Sequence, residues 1–286
     1  MEAKKLILVT GGAGFIGSHL CERLVKEGYR VISLDNYSTG SADNHVAGVT
    51  YITGHTKDIG TLILETPDLI FHLGEYARVE QSFSDIEKVL DENIVGTIAV
   101  LEYVRQTGAK LVYAGSSTKF ADGGIGKDQS PYAWTKASNT NLIQRYSEWY
   151  GIIYAITYFY NVYGPRERSD IQSGTLIAIF AEKYKNGDSL MVRLPGTQKR
   201  NFTHVYDIVE GLVLVGQRGE GDEYGLGHPD SFSVLEVAQM FGGSVEMLEE
   251  RPGNRMSSGV DVHRAALELG WKPQYSLPDY IQSLKI

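Results

Sequence analysis

Cysteine is almost missing from this chain: Cys21 is the only one among 286 residues, which excludes an intrachain disulfide and a cysteine-rich metal site. The seven histidines show no metal-ligand spacing either. No apolar run approaches the roughly 18 residues of a membrane span, and a strand-like run begins almost at the N-terminus. The cytoplasm is therefore the expected compartment. Basic excess is lacking as well. Acidic residues outnumber basic ones 35 to 27, a formal charge of −8, so no sequence-wide attraction to nucleic acid or anionic membranes is expected, although local basic pockets remain open. Low-complexity segments and internal repeats are absent, which argues against a linker-rich or repeat architecture.

What is present is alternation. Strand-like runs at Leu6–Val9, Val31–Leu34, Leu69–His72, Leu111–Ala114 and Ile152–Thr157 are separated by helical stretches, the pattern of a parallel sheet covered on both faces. The fold expected is α/β, a doubly wound Rossmann sheet over residues 1–165 that also receives segments near 200–218. A smaller substrate-binding α/β region is expected over 166–286, where the alternation gives way to turn signals such as Asn186-Gly187 and Pro195-Gly196. The stretches Asp85 to Arg105 and Pro131 to Tyr150 read as long helices with more apolar surface than one stripe needs. Such a surplus points to a homodimer through the helices at 85–105 and 131–150.

The segment Leu8-Val-Thr-Gly-Gly-Ala-Gly-Phe-Ile-Gly17 joins a strand to a glycine-rich turn and an amphipathic helix, the layout that a dinucleotide pyrophosphate requires. Gly11 permits the tight turn, Gly14 lets the backbone approach the phosphates, and Gly17 lets the helix pack closely with its N-terminal amides facing the anion. Eighteen positions beyond Gly17, the second strand ends at Asp35. Its carboxylate can accept from the adenosine ribose hydroxyls and repel a 2′-phosphate, which favours NAD over NADP.

Residues i and i+4 of a helix share a face, so Tyr132-Ala-Trp-Thr-Lys136 brings a phenol and an ammonium together. The ammonium favours the phenolate. Lys136 can thus lower the proton affinity of Tyr132 and hydrogen-bond the nicotinamide ribose, leaving Tyr132 as general base toward a substrate hydroxyl. The pair alone also describes an ordinary helix face. Its position decides, because it follows the strand that ends in Ala114-Gly-Ser-Ser-Thr118, and strand carboxyl ends are where an open α/β sheet places its ligands. A serine there can share the substrate hydrogen bond.

These segments together resemble the extended short-chain dehydrogenase/reductases of the NAD-dependent nucleotide-sugar epimerase/dehydratase family, over nearly the whole chain. The resemblance implies a cofactor loop with Gly11, Gly14, Phe15, Ile16 and Gly17, and an adenosine-holding segment Asp35-Asn36-Tyr-Ser38-Thr39-Gly40. It places an adenine contact at Asp58 with Ile59, and a motif over the cofactor at Ile70-Phe-His-Leu73-Gly74. The asparagine of Asn93-Ile-Val-Gly-Thr97, with Ser117, Tyr132 and Lys136, matches the family's catalytic set. In the second half, Tyr158-Phe-Tyr-Asn-Val-Tyr-Gly-Pro-Arg166 makes Asn161 a diphosphate or sugar contact, and Lys199-Arg-Asn-Phe-Thr-His-Val-Tyr-Asp207 sets Arg200 near a substrate phosphate. Arg251-Pro-Gly-Asn254 resembles the arginine that closes on the diphosphate and the ribose contact that follows it. Asn201 and Asn254 stand where the family commonly has an acid.

The same resemblance separates chemistries. A 4,6-dehydratase of this family would carry Thr-Asp-Glu after the strand, whereas this chain has Ser117-Thr118-Lys119 and so lacks the carboxyl pair that eliminates water. What remains is transient oxidation at C4 and re-reduction from the opposite face, a 4-epimerase with NAD retained and no metal. A 4-dehydrogenase or an atypical dehydratase releasing a keto sugar, and a non-catalytic NAD-binding sensor, are the alternatives. Only fourteen positions separate Ser117 from Tyr132. That short loop is expected to border the sugar pocket, with Glu75, Arg78 and Glu80 facing it or lying in a plain surface loop.

Overall fold

The computed structural model of the chain describes residues 4–170, 174–249 and 260–285. Its centre is a seven-stranded parallel sheet built from β1 (Leu6–Thr10), β2 (Arg30–Asp35), β3 (Val49–Thr53), β4 (Leu69–His72), β5 (Lys110–Ser116), β6 (Tyr154–Phe159) and β7 (Gly221–Leu226). The spatial order is β7-β6-β5-β4-β1-β2-β3. Chain direction through the sheet therefore reverses between β1 and β4, and the crevice at their carboxyl ends is the topological switch point where such sheets bind ligands.

Alternate side chains of each strand enter different cores because successive Cβ atoms point to opposite faces. Leu6 and Leu8 join a cluster with Val100, Leu101, Val104, Ile143 and Tyr146, under α2 (Gly96–Thr107) and α3 (Pro131–Tyr150). Ile7 and Val9 join Leu20, Cys21, Leu24, Ile208 and Leu212, under α1 (Phe15–Lys26) and α5 (Val205–Arg218). Fully burying one such aliphatic side chain contributes about 1.5–3 kcal/mol, so the sheet cannot slip by one residue without exchanging both cores. Residues 205–226 supply a covering helix and an edge strand to this layer.

A third core, with Tyr163, Ile177, Phe180, Val192, Phe202, Phe241 and Leu277, sits in the C-terminal lobe. Helices α4 (Leu176–Asn186), α6 (Val234–Phe241) and α8 (Leu277–Ser283) enclose it, while α7 (His263–Leu269) packs beside β7. Short strand pairs complete the lobe, among them Lys199–Asn201 against Ser231–Ser233.

Two helix expectations have different outcomes. Helix α3 has the expected bounds: Ser130 caps it by accepting from the Ala133 amide at 3.1 Å, Pro131 opens it, and Gly151 ends it at φ +69°. The other stretch is not one regular helix. A turn at Ile86–Val89 passes into a π-helical segment, Leu90–Val95, before α2 begins. Gly96 presses there against Thr56, whose hydroxyl would lie 2.3 Å from any Cβ at residue 96.

Candidate active site

The turn after β1 has the tightness a cofactor cradle requires. Gly11 adopts φ +74°, and a Cβ on it would sit 2.9 Å from the Gly74 backbone; a Cβ on Gly17 would sit 2.1 Å from the Gly11 carbonyl oxygen. Gly14 precedes the first turn of α1 with no side-chain cap, so the amides at Phe15 and Ile16 face outward from an open helix N-terminus. Asp35 lies at the end of β2 and is 7% exposed. Its carboxylate accepts from the Ala13 amide at 2.9 Å and the Tyr37 amide at 2.8 Å, tying the adenosine-side loop to the phosphate-side turn. Asn36, Ser38 and Thr39 are exposed on that loop, and a Cβ at Gly40 would lie 2.9 Å from Asp35 Oδ1. Asp58 is exposed, whereas the Ile59 side chain is in the core, so only the Ile59 backbone can meet a ligand.

The segment after β4 is locked to the same turn. The Thr10 hydroxyl oxygen accepts from the amides of Leu73 at 3.2 Å and Gly74 at 3.0 Å. Its proton points to His72 Nδ1 at 2.8 Å, and His72 Nε2 lies 3.0 Å from the Thr97 hydroxyl oxygen, which in turn donates to Glu75 Oε1 at 3.0 Å. A carboxylate only accepts, which fixes the direction of the chain: Thr97 donates to Glu75, His72 donates through Nε2, and Nδ1 accepts. Burial depresses His72 to about 4, so the ring is neutral.

Glu75 ends that chain inside the protein. It forms a buried ion pair with Lys136, with side-chain exposures of 1% and 7%, and Oε1 also accepts from Tyr113 at 3.0 Å and Asn139 at 2.9 Å. The Glu75 side chain therefore follows neither expectation, pocket-facing or plain surface loop: Lys136 draws the carboxylate into the interior. Arg78 is half-buried, with its Nε enclosed and unpartnered, beside Glu167, Arg168 and Asp170. Glu80 is exposed.

Tyr132 and Lys136 lie one turn apart near the start of α3, at the carboxyl end of the sheet. Lys136 Nζ donates to the Ala114 carbonyl of β5 at 2.6 Å and lies 4.8 Å from the centre of the Tyr113 ring. Ser117 directly follows β5, while the Ser116 hydroxyl is engaged by the Thr118 hydroxyl at 3.0 Å. Asn93 is fully buried. Its carbonyl oxygen accepts from the Tyr76 amide at 2.7 Å, and its amide donates to the Thr135 hydroxyl at 3.0 Å and the Tyr76 carbonyl at 3.2 Å. Asn93 thus holds the post-β4 segment against α3.

The short loop after Ser117 begins with a fixed lysine. Lys119 forms an ion pair with Asp222 of β7 at 2.7 Å and donates to the Tyr158 hydroxyl at 3.0 Å, so its charge is fastened to the sheet edge. In the C-terminal half, Asn161 is exposed, adopts φ +37°, and donates to the Asn201 backbone carbonyl at 2.8 Å, which brings it beside Arg200. The Arg200 guanidinium donates to the Lys199 carbonyl at 2.8 Å. Arg251 and Asn254 lie outside the described residues.

Comparison with known proteins agrees with this geometry. The model of the NAD-dependent epimerase/dehydratase family matches residues 7–227. The chain belongs to that family. UDP-glucuronic acid decarboxylase 6 of Arabidopsis thaliana is 30% identical over 303 residues, covering 96% of this chain and 86% of the relative. The crystal structure of UDP-glucose 4-epimerase from Thermotoga maritima with UDP-glucose superposes with a TM-score of 0.91 at 27% identity, over 98% of this chain and 97% of that one. The dTDP-glucose 4,6-dehydratase DesIV of Streptomyces venezuelae, solved with NAD, gives 0.89 at 26%, over 98% and 96%. Three chemistries thus share this NAD-dependent fold.

Three features of this epimerase/dehydratase-family site are explained only by the structure. Asn201 is 5% exposed and donates to the carbonyls of His228, Pro229 and Asp230 at 3.0–3.2 Å; a carboxylate cannot do this, so the asparagine is structural. Glu167 is pushed up to about 8 by burial, a shift that no local pattern announces. Asn139, one turn beyond Lys136, gathers Glu75 and the Asn93 carbonyl. Its spacing of i, i+3 from Lys136 was the available signal.

Proposed function

We propose that this protein is an NAD-dependent nucleoside-diphosphate-sugar 4-epimerase. The observation that carries the reading is the end of β5: the two positions after Ser117 are Thr118, whose hydroxyl donates to Ser116, and Lys119, which is paired with Asp222, so neither supplies the carboxyl pair that eliminates water. The cradle of Gly11, Gly14, Gly17 and Asp35 fits a dinucleotide by its closeness, and NAD held there supplies reversible hydride acceptance at the sugar carbon. The side chains do the rest. Tyr132 takes the proton of the C4 hydroxyl and returns it, Ser117 shares that hydrogen bond, and Lys136 orients Tyr132 and the nicotinamide ribose. Asn161, Arg200 and Arg251 are assigned to the diphosphate and sugar, with the exposed faces of α2 and α3 as the homodimer contact.

The experiment is to incubate the NAD-loaded protein with a panel of nucleotide sugars and read each mixture by proton NMR and mass spectrometry. A stereoisomer of equal mass supports the proposal. Loss of two hydrogens or of water selects a keto-sugar-releasing enzyme instead. The Tyr132→Phe variant is expected to lose about 100-fold or more in turnover, the lower range for a positioned general base, while still binding NAD; undiminished turnover would remove Tyr132 from its role. A second reading, decarboxylation of a hexuronate, is favoured by one feature, the enclosed and unpartnered Nε of Arg78, which offers a carboxylate a partner. Loss of carbon dioxide in the same panel would select it.

A further inference from the structure

Lys136 does not present a bare ammonium to Tyr132. One of its three N–H donors goes to Glu75 and one to the Ala114 carbonyl, which leaves one for Tyr132 or a ribose hydroxyl. The Glu75 carboxylate is held from three directions: by Thr97 on α2, Tyr113 on β5, and Lys136 with Asn139 on α3. A positive charge in contact with a negative one acts on a third group as a dipole, whose field falls off faster than that of a single charge. We propose that Glu75 is the positioning residue of the proton-transfer pair, fixing Lys136 in its buried place and offsetting its charge, so that Glu75/Lys136 together set the pH range in which Tyr132 works. This inference rests on the reading of Tyr132 and Lys136 as that pair.

The groups facing Lys136 allow the effect to be isolated. His72 comes from β4, Glu75 from the segment after it and Tyr113 from β5, and Tyr132 precedes Lys136 by one turn of α3. His72 is neutral, depressed to about 4 by burial, and Tyr113 is pushed well above the ordinary tyrosine value by burial and by Glu75, so it too is neutral at ordinary pH. Replacing Glu75 therefore changes a single compensating charge. Loss of that negative charge leaves the ammonium uncompensated, which favours the Tyr132 phenolate.

The test is a tyrosinate absorbance titration taken as the difference between a protein and its Tyr132→Phe version, once in the parent and once in the Glu75→Gln background, with no substrate added. The Tyr132 increment is expected at lower pH in the Glu75→Gln background by about one unit, the low end for a charge partner in contact. In the loaded enzyme the acid limb of the kcat profile moves the same way. Glu75→Asp, which keeps the carboxylate but withdraws it by a methylene, should show a smaller displacement in the same direction, and it carries the test if Glu75→Gln does not accumulate as folded protein. An increment at the parent's pH in every background that folds overturns the proposal. Because the titration uses no sugar, its outcome is separate from the nucleotide-sugar panel: the panel can fail while the displacement is seen, and the reverse.

Discussion

Residue 201 shows how one atom decides a role. Asparagine and aspartate have the same shape, but only the amide can donate, and Asn201 Nδ2 faces three carbonyl oxygens at 3.0–3.2 Å. In Asn201→Asp a buried carboxylate oxygen would meet three acceptors, exchanging hydrogen bonds for repulsion and an unsatisfied buried charge. We expect a loss of about 2–4 kcal/mol, measured by urea denaturation at neutral pH and partly recovered in acid, where the carboxyl regains a donor. Equal stability of the two proteins at neutral pH would show that these carbonyls do not need a donor. The departure from the family pattern was visible in the sequence, but its reason was not, since the partners lie 27 to 29 residues away across a strand pairing. Glu75 was hidden in the same way. An acid after a strand reads as a pocket or surface group, and nothing local says that Lys136, 61 residues on, will draw it inside.

At the level of elements, the strongly periodic and apolar pieces were legible: β1, β2, β4, β5 and β6 stand where their runs predicted, because strands buried on both faces read as continuous apolar sequence. The edges were not. β3 is half-exposed, and β7, Gly-Asp-Glu-Tyr-Gly-Leu, carries residues that strands avoid, including Glu223 at φ +74° where the register shifts; each is a strand because its neighbour offers a free ladder. The π-helical turn at Leu90–Val95 keeps the apolar spacing of a helix and so leaves no mark in the pattern, although it aims Asn93 at Tyr76 and Thr135. The cradle turn is the element most exposed to a minimal change. A Cβ on Gly17 would lie 2.1 Å from the Gly11 carbonyl oxygen, and that oxygen is backbone, so the turn and α1 must separate. Gly17→Ala is expected to cost about 1–3 kcal/mol of stability as an overpacked site and to weaken NAD binding about tenfold or more, the effect of 1.4 kcal/mol or more on an association. Equilibrium dialysis with NAD checks this, and unchanged affinity would separate the closeness of the turn from cofactor binding.

At the scale of the whole molecule, the two helices that cover the Tyr132 side of the sheet leave an apolar face outward. Leu90, Val95 and Ile98 are exposed on and before α2, and Trp134, Trp149 and Tyr150 on α3. Scattered single apolar residues on a surface need no explanation, but several along two neighbouring helices are what supports the homodimer contact proposed above. A twofold contact through this face would bury both helices against their copies, with the same residues on each side. The protein is expected to sediment as a species of twice 31.6 kDa. Ile98→Glu places a charge on this face, which a twofold contact would double by symmetry. That variant is expected to sediment as a monomer while its isolated fold persists, since Ile98 is 40% exposed and contributes little to the core beneath. A dimer that survives Ile98→Glu would move the contact to another face, and a monomeric parent would mean that α2 and α3 remain uncovered. The position of Tyr132 on α3 gives the contact a consequence for the site. If the dimer stiffens the start of that helix, turnover per chain should fall on dilution below the dimer dissociation constant and return on concentration, whereas a contact without influence on the site leaves specific activity constant across the same range.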